Sequence, residues 1–546
     1  MLRNTQSHVM NPKKTFALAV GLALFLLPLF LDFEGLSLMG HITLGIFLLA
    51  AVFWILEPIP IYATSLLVIF LQIVFLSVQG PLYQLSEVPS ATPLPVEGEV
   101  WEIPAAALQE EDAVLVLENG KQAGVVPVTV TGSNAETVTV RSDELSTESR
   151  LVIDGDHWLL DFEVPSYTVY LNALANPIII LFLGGFVLAG AAVKYQLDRN
   201  LTRVILRPFG TKPARVTMGL MLVTATLSAF MSNTATTAMM MTVIIPIVAQ
   251  LDPDDRYRIG VALAIPFAAN VGGIATPIGT PPNAIAIGAL QAHGIQIAFG
   301  TWMMLAVPLV VVILFFVWWL LLRVYPAKGE RIVLDLSGRF NVSGKAITLY
   351  FVFGLTVLLW VSEAWHGLSS SVVAFFPIVA LTAFRVVEID EIRNLPWEVL
   401  WLMAGGIALG VAMQDTGLAE WLIGLIRWDL MGAFVVICVF GFVAAGLSNF
   451  ISNTVAASLL VPLAISLGVS GMLADAASLE INAIIIAVGA SLGMALPIST
   501  PPNAIAMSTG MLRTPDMARM GVIIALVGLP VAFVLAKFLW PLLVGN

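Results

Sequence analysis

Long apolar stretches recur along the chain and are separated by short polar segments. Eleven of them are long enough to cross a lipid bilayer, which takes roughly 17 to 25 residues in a helix. We therefore predict eleven transmembrane helices, near residues 15–31, 40–56, 60–78, 177–198, 259–290, 303–322, 346–362, 370–384, 397–426, 480–510 and 521–542.

Two further apolar stretches, 217–248 and 430–470, carry the polar triplet Ser-Asn-Thr in their interior. Ser, Asn and Thr are strong helix N-cap residues, so each triplet predicts that one helix ends and another begins there. We therefore predict that each stretch is a re-entrant hairpin of two half-length helices rather than one crossing.

The segment 80–167 has the alternating pattern of short β-strands instead. It predicts a hairpin of strands 113–117 and 125–131 around a turn at 118–121, with further strands at 137–141 and 151–153. The predicted fold class is thus an all-α polytopic membrane protein with a small β-rich extramembrane insertion.

Composition supports membrane insertion, since 58% of the residues are apolar and 11% are charged, against roughly 45–50% apolar residues in soluble domains. A cytoplasmic amino terminus places 20 of the 25 Lys and Arg residues inside, as the positive-inside rule favours. We expect a bacterial inner-membrane protein with its carboxyl terminus and residues 80–167 outside. That segment has 16 acidic and 3 basic residues, so the chain's net charge of −11 says little about a ligand.

An internal repeat has a constant offset of 220 residues. LSAFMSNT at 227–234 matches LSNFISNT at 447–454, and ATPIGTPPNAIA at 275–286 matches ALPISTPPNAIA at 495–506. In the predicted topology the two copies have opposite orientations, so they are inverted repeats, a pattern typical of carriers with a site near the bilayer midplane. The expected domains are scaffold helices 1–79, the insertion 80–167, and repeats 168–325 and 326–546.

The repeated motifs predict an anion site without charged side chains, because segments 216–250, 259–302, 430–474 and 481–512 have none. Four helix amino termini would each present roughly half a positive charge, about +2 together, which suits a dianion. Asn233, Thr234, Asn453 and Thr454 would donate hydrogen bonds to it. Carbonyls, serine hydroxyls and asparagine oxygens at the same breaks would suit a sodium ion. A single such triplet would otherwise indicate helix packing.

These motifs resemble the divalent anion:sodium symporter family of dicarboxylate, citrate and sulfate carriers. The resemblance implies a homodimer, an elevator-type movement, and sodium as coupling ion without another cofactor. By position, one sodium site would use Ser228, Ser232, Asn233 and Ala275, and the other Ser448, Ser452, Asn453 and Ala495. The substrate residues Asn233, Thr234, Asn453 and Thr454 would be flanked by Pro277 and Pro497. The preferred anion stays open, because Leu496 and Ser499 replace the first repeat's Thr276 and Gly279.

Part of the insertion, 101–155, resembles the periplasmic adaptor subunits of bacterial efflux pumps, which leaves open a cap, a dimer edge or a docking site for a periplasmic partner. The function best supported is sodium-coupled symport of a C4-dicarboxylate such as succinate. The alternatives are a sodium-independent exchanger of the same fold and a ligand-binding membrane sensor or scaffold. The motifs contain no catalytic constellation, Cys438 lies in an apolar run, and the five histidines lack metal-ligand spacing. We expect no enzyme activity and no nucleic-acid partner.

Overall fold

The computed structural model describes residues 12–31, 33–97, 99–109, 113–118, 122–133, 137–153, 163–332, 340–425, 432–469 and 476–544. Among these residues, nine helices are long and apolar enough to cross a membrane. The protein is therefore an integral membrane protein. The count of eleven crossings stays a prediction, because three predicted crossings, 259–290, 370–384 and 480–510, are not among these nine helices and each consists of two shorter ones. Conversely, the helix Pro213–Phe230, in the first half of the predicted hairpin 217–248, is one of the nine.

Among the described residues ahead of the first strand there are four α-helices: α1 (Pro12–Leu26), α2 (Leu38–Leu56), α3 (Ile61–Leu76) and, at the start of the insertion, α4 (Pro81–Leu85). The side chain of Ser37 caps α2 by accepting a hydrogen bond from the Gly40 amide at 3.1 Å. This is the capping that a serine before an apolar run predicts.

In the part of the insertion that the structure describes, nine short strands form two antiparallel sheets. The strands are β1 (Ser90–Ala91), β2 (Leu94–Glu97), β3 (Val100–Pro104), β4 (Leu108–Gln109), β5 (Ala113–Glu118), β6 (Gln122–Pro127), β7 (Thr129–Ser133), β8 (Thr137–Arg141) and β9 (Leu151–Val152). One sheet has the order β1-β9-β5-β4, with β6 also paired to β5, and the other has the order β2-β3-β8-β7. Between them lies a separate core that includes Trp101, Ile103, Val140 and Leu151.

The strand predicted at 125–131 is divided in the structure. Residues up to Pro127 pair with β5, whereas Thr129–Ser133 pairs with β8 in the other sheet. The alternating pattern continues through Val128 and therefore does not mark the point where the chain changes sheets. Residues 119–121 of the predicted turn lie outside the described residues.

The first repeat contains eight helices: α5 (Thr168–Leu171), α6 (Pro177–Lys194), α7 (Leu197–Leu206), α8 (Pro213–Phe230), α9 (Asn233–Ala249), α10 (Tyr257–Gly273), α11 (Pro281–Ala292) and α12 (Phe299–Val324). Proline occupies the first position of α6, α8 and α11, where the missing amide hydrogen breaks no helical hydrogen bond.

The described residues of the second repeat form thirteen helices: α13 (Gly344–Val361), α14 (Glu363–His366), α15 (Ser370–Val373), α16 (Phe375–Ala383), α17 (Ile389–Arg393), α18 (Trp397–Asp415), α19 (Leu418–Gly424), α20 (Ala433–Ser448), α21 (Asn453–Val469), α22 (Ala476–Leu492), α23 (Pro501–Ser508), α24 (Thr514–Phe538) and α25 (Pro541–Val544).

Small residues allow the central helices to approach one another closely. A Cβ atom on Gly272 of α10 would lie 2.4 Å from the Ala225 Cα of α8, and one on Gly405 of α18 would lie 2.4 Å from the Ser65 Cβ of α3. Small residues at helix contacts are typical of membrane proteins, where packing rather than the hydrophobic effect holds helices together. The contact of α8 with α10 also places Ser228 beside Ala269 in the site described below.

Candidate functional site

Four helices begin at one cavity of about 480 Å³. They are α9, α11, α21 and α23, and each follows a short non-helical segment that separates it from the preceding helix. The residues that start these helices line the cavity: Ser232, Asn233 and Thr234, Thr280 and Pro281, Ser452, Asn453 and Thr454, and Thr500, Pro501 and Pro502. The free backbone amides at the starts of α9 and α21 favour negative charge, and so do the dipoles of all four helices, although α11 and α23 begin with two prolines that have no amide hydrogen. The cavity therefore suits an anion without needing a lysine or arginine.

The rest of the lining is mostly apolar. Phe182 and Phe186 of α6 are in edge contact with each other, with ring centroids 5.6 Å apart. The remaining lining residues are Asn270, Ile278, Gly279, Pro396, Glu398, Val399 and Ser499. A cavity with apolar walls and a few polar groups at fixed places is typical of a small-molecule site.

Behind the α9 start lies a first cluster of oxygen atoms. The buried Ser228 hydroxyl contacts both the Asn233 Oδ1 and the Ala269 carbonyl oxygen, the latter at 2.8 Å. A hydroxyl has one proton, and both neighbouring atoms are acceptors. One of the two acceptor oxygens therefore receives no hydrogen bond from Ser228, and a cation bound between the oxygens would compensate for the missing proton.

A second cluster repeats this arrangement behind the α21 start. The Ser448 hydroxyl lies 2.5 Å from the Asn453 Oδ1 and 2.7 Å from the Ala490 carbonyl oxygen. Again two acceptors share one proton. Since the same excess of acceptors occurs in both repeats, it belongs to the repeated architecture.

Two fully buried asparagines fix the conformation of the non-helical segments before α11 and α23. The Asn283 amide nitrogen donates to the Gly273 and Thr276 carbonyls at 3.0 and 2.8 Å. The Asn503 amide nitrogen donates to the Met494 and Leu496 carbonyls at 2.8 and 3.0 Å. These bonds satisfy carbonyls that the break leaves without a helical partner.

The replacement of Thr276 by Leu496 removes a hydroxyl from the second repeat, and Asn449 compensates for it. In the first repeat the Thr276 hydroxyl donates to the Ala229 carbonyl. In the second repeat the side-chain oxygen of Asn449, which matches Ala229, accepts from the Ala495 amide at 2.7 Å. Each repeat thus has one hydrogen bond between these two segments, made by a different side chain.

The residues predicted from sequence divide into two groups. Six of them line the cavity: Ser232, Asn233, Thr234, Ser452, Asn453 and Thr454. Pro277 and Pro497 are not among its lining residues, and neither are the alanines at 275 and 495, which are buried. The Ser452 hydroxyl accepts from the Val455 amide at 3.2 Å and so caps α21.

Asn270 and Glu398 are among the cavity-lining residues that sequence reasoning missed. Asn270 donates to the Thr500 hydroxyl at 3.1 Å and to the Asn503 side-chain oxygen at 3.2 Å, and so links the two repeats. Glu398, an exposed acidic residue, also lines the cavity. Neither has a polar match at the 220-residue offset, where Ala490 and Ile178 stand, so the repeat could not reveal them.

Comparison with known proteins agrees with this geometry. The profile of the citrate transporter family matches residues 158–481 and 357–544, together most of the chain. The chain belongs to this family of membrane transporters. The resemblance to divalent anion:sodium symporters is thereby confirmed, and the chain is a transporter rather than an enzyme. The likeness of the insertion to efflux-pump adaptors stays a prediction.

Several curated relatives are similar over most of their length. The sodium-dependent dicarboxylate transporter SdcS of Staphylococcus saprophyticus is 29% identical over 413 residues, covering 68% of this chain and 78% of that protein. An uncharacterised transporter of Haemophilus influenzae is 31% identical over 392 residues, covering 68% and 82%. The solved YdaH transporter of Alcanivorax borkumensis aligns with a TM-score of 0.47 at 14% identity, covering 75% of this chain and 92% of that one.

Proposed function

We propose that this member of the citrate transporter family is a sodium-coupled symporter of a small dicarboxylate such as succinate. The observation that carries the proposal is the meeting of four helix starts at one cavity, with an acceptor-rich oxygen cluster behind two of them. Relatives named sodium-dependent dicarboxylate transporters support the same substrate and ion.

The anion is proposed to lie between the starts of α9 and α21. Its carboxylates accept hydrogen bonds from the Asn233 and Asn453 amides and from the Thr234 and Thr454 hydroxyls. The four helix starts supply about +2 of partial charge in total, which matches a dianion. The cavity's apolar wall contacts the carbon chain between the two carboxylates.

Sodium is proposed to enter the two oxygen clusters as transported ion. At each cluster the sodium ion binds to the two oxygen atoms that have no hydrogen between them and removes their mutual repulsion. Its positive charge also stabilises the nearby anion. This arrangement couples the two ligands, because each lowers the electrostatic cost of binding the other.

The finer architecture is proposed along with this function. It comprises eleven crossings and two re-entrant hairpins in inverted repeats, a homodimer, and an elevator-type movement of the cavity across a bacterial inner membrane. The division at residues 79, 167 and 325 and the cytoplasmic amino terminus belong to the same proposal. It is supported by the fixed offset between the repeats and by the distribution of basic residues.

The test is uptake of labelled succinate by liposomes that contain the purified protein, with and without an inward sodium gradient. We expect uptake that needs sodium and that the double variant Asn233→Ala/Asn453→Ala abolishes. Asn394→Ala, at an exposed helix end outside the cavity, is the matched control and should be unaffected. Uptake driven only by internal dicarboxylate would instead establish an exchanger. Binding of succinate without any flux would establish a sensor.

A further inference from the structure

Glu398 is the one formally charged side chain among the residues that line the cavity. It lies in the first turn of α18, and its neighbours Pro396 and Val399 also line the cavity. A carboxylate beside an anion site is unexpected, because like charges repel. The feature therefore needs an explanation beyond the general architecture of the site.

Within the described part of the chain, no basic side chain forms an ion pair with Glu398. Among the residues that the structure describes, the ion pairs within 4.0 Å are Lys194–Glu391, Lys345–Glu388 and Arg393–Asp390, and Glu398 belongs to none of them. Its position also has no acidic match in the first repeat, where the buried Ile178 stands. The charge is therefore an addition to the symmetrical site.

One effect of Glu398 is local to its helix. An acidic residue in the first turn interacts favourably with the positive end of the helix dipole. That effect stabilises α18 equally whichever ligand is bound. It leaves unexplained why an acidic residue lines the cavity, and it predicts no difference between ligands.

The electrostatic effect on a ligand depends on the ligand's charge. A cavity of about 480 Å³ is roughly 10 Å across, so the carboxylate lies within about that distance of a bound anion. At an effective dielectric constant of about 40 to 80, repulsion over 10 Å weakens binding by roughly two- to fourfold for each negative charge on the ligand. A dianion therefore loses the square of the factor that a monoanion loses.

We propose that Glu398 is a specificity-determining residue that favours dicarboxylates of lower net charge. The chemical class favoured is an amino dicarboxylate, whose ammonium group reduces the net charge to −1 and is itself attracted to the carboxylate. A plain dicarboxylate of net charge −2 is disfavoured relative to it. The same carboxylate attracts sodium. This inference rests on the proposed function of the cavity.

The experiment measures dissociation constants of aspartate and succinate by calorimetry at pH 7.5, with the full chain in lipid nanodiscs and sodium present. Relative to the unchanged protein, Glu398→Gln should bind aspartate about two- to fourfold more tightly and succinate about four- to sixteenfold more tightly. Half-saturating sodium should rise by about two- to fourfold. Glu330→Gln, which removes an exposed carboxylate outside the cavity, is the matched control and should change none of these values.

Two more variants separate charge from structure. Glu398→Ala should give the same dependence on ligand charge as Glu398→Gln, and Glu398→Asp should keep the original preference. Equal factors for aspartate and succinate, or no change in either, would overturn the proposal, and so would a failure of aspartate to bind where succinate binds. If neither anion binds the unchanged protein, the proposed function itself fails, which is a distinct result.

Discussion

Ser448 is the residue around which the second oxygen cluster forms, because its hydroxyl contacts both Asn453 and the Ala490 carbonyl. Ser448→Ala removes one proposed cation ligand and leaves the anion donors in place. We expect half-saturating sodium for succinate uptake to rise about tenfold, which corresponds to roughly 1.4 kcal/mol of lost binding free energy. Ser466→Ala serves as control, since that buried hydroxyl bonds within its own helix to the Pro462 carbonyl. An unchanged sodium dependence in Ser448→Ala would exclude this cluster as a sodium site.

Gly273 lies at the end of α10, where the backbone packs so closely against Asn233 and Gly279 that no side chain fits. A Cβ atom there would lie 2.7 Å from the Asn233 Oδ1 and 3.0 Å from the Gly279 carbonyl oxygen. Gly273→Ala should displace the Asn233 amide, with an overpacking cost of about 1–3 kcal/mol, and should strongly reduce uptake.

The comparison for this prediction is Gly354→Ala in α13, where a Cβ atom would meet nothing within 4 Å. Uptake and the thermal unfolding midpoint should be close to those of the unchanged protein, because alanine favours helix over glycine. Normal uptake by Gly273→Ala would mean that the Asn233 position is not critical.

At the scale of helices, Asn270 joins α10 of the first repeat to the start of α23 in the second. Asn270→Ala leaves the buried Asn503 side-chain oxygen without this donor, at a cost of about 1–3 kcal/mol. We expect a lower thermal unfolding midpoint together with a higher half-saturating succinate concentration.

Asn200→Ala controls for the loss of a buried amide, since Asn200 bonds to the Tyr350 hydroxyl away from the cavity. This variant should lower the unfolding midpoint while leaving the succinate dependence unchanged. If the two variants behave alike in uptake assays, Asn270 has a structural role only.

The helix breaks could be predicted from sequence because capping is a local property. Ser-Asn-Thr and Thr-Pro-Pro-Asn carry N-cap residues and a tolerated proline, so the starts of α9, α11, α21 and α23 follow from a few neighbouring residues. The carbonyls of Ala269 and Ala490 could not be predicted, since any residue has a carbonyl and only the packing of α10 and α22 brings these two to the serines. The same holds for Glu398, which became a cavity residue through the placement of α18.

At the scale of the whole molecule, the β-rich insertion has its own core around Trp101 and Val140, and this core is distinct from the membrane core. Ser90 pairs with Val152, so the first and last strands of the insertion lie side by side. We predict that residues 91–151 can be deleted and replaced by an Asn-Gly turn, which suits two antiparallel strands. Sodium-driven succinate uptake should stay within about twofold of the full chain, since a domain with its own core folds separately.

A point change in the full-length chain provides the control for this deletion. Trp101→Ala removes a buried side chain that also donates to the Ser142 carbonyl at 3.0 Å, at a cost of about 3–5 kcal/mol to the insertion's core. Limited proteolysis should then cleave the insertion while uptake persists. Loss of uptake by a correctly inserted deletion variant would show that the insertion takes part in transport.

The pairing of Ser90 with Val152 also makes this protein a convenient host for a rigid reporter. Any small domain whose own termini are neighbouring antiparallel strands could be exchanged for the natural insertion through two short, stiff connections. Membrane carriers of this size have few external landmarks for particle alignment in electron microscopy. A grafted landmark at this position would move with the helices that it joins, so its displacement relative to the bilayer would record how they shift during the transport cycle.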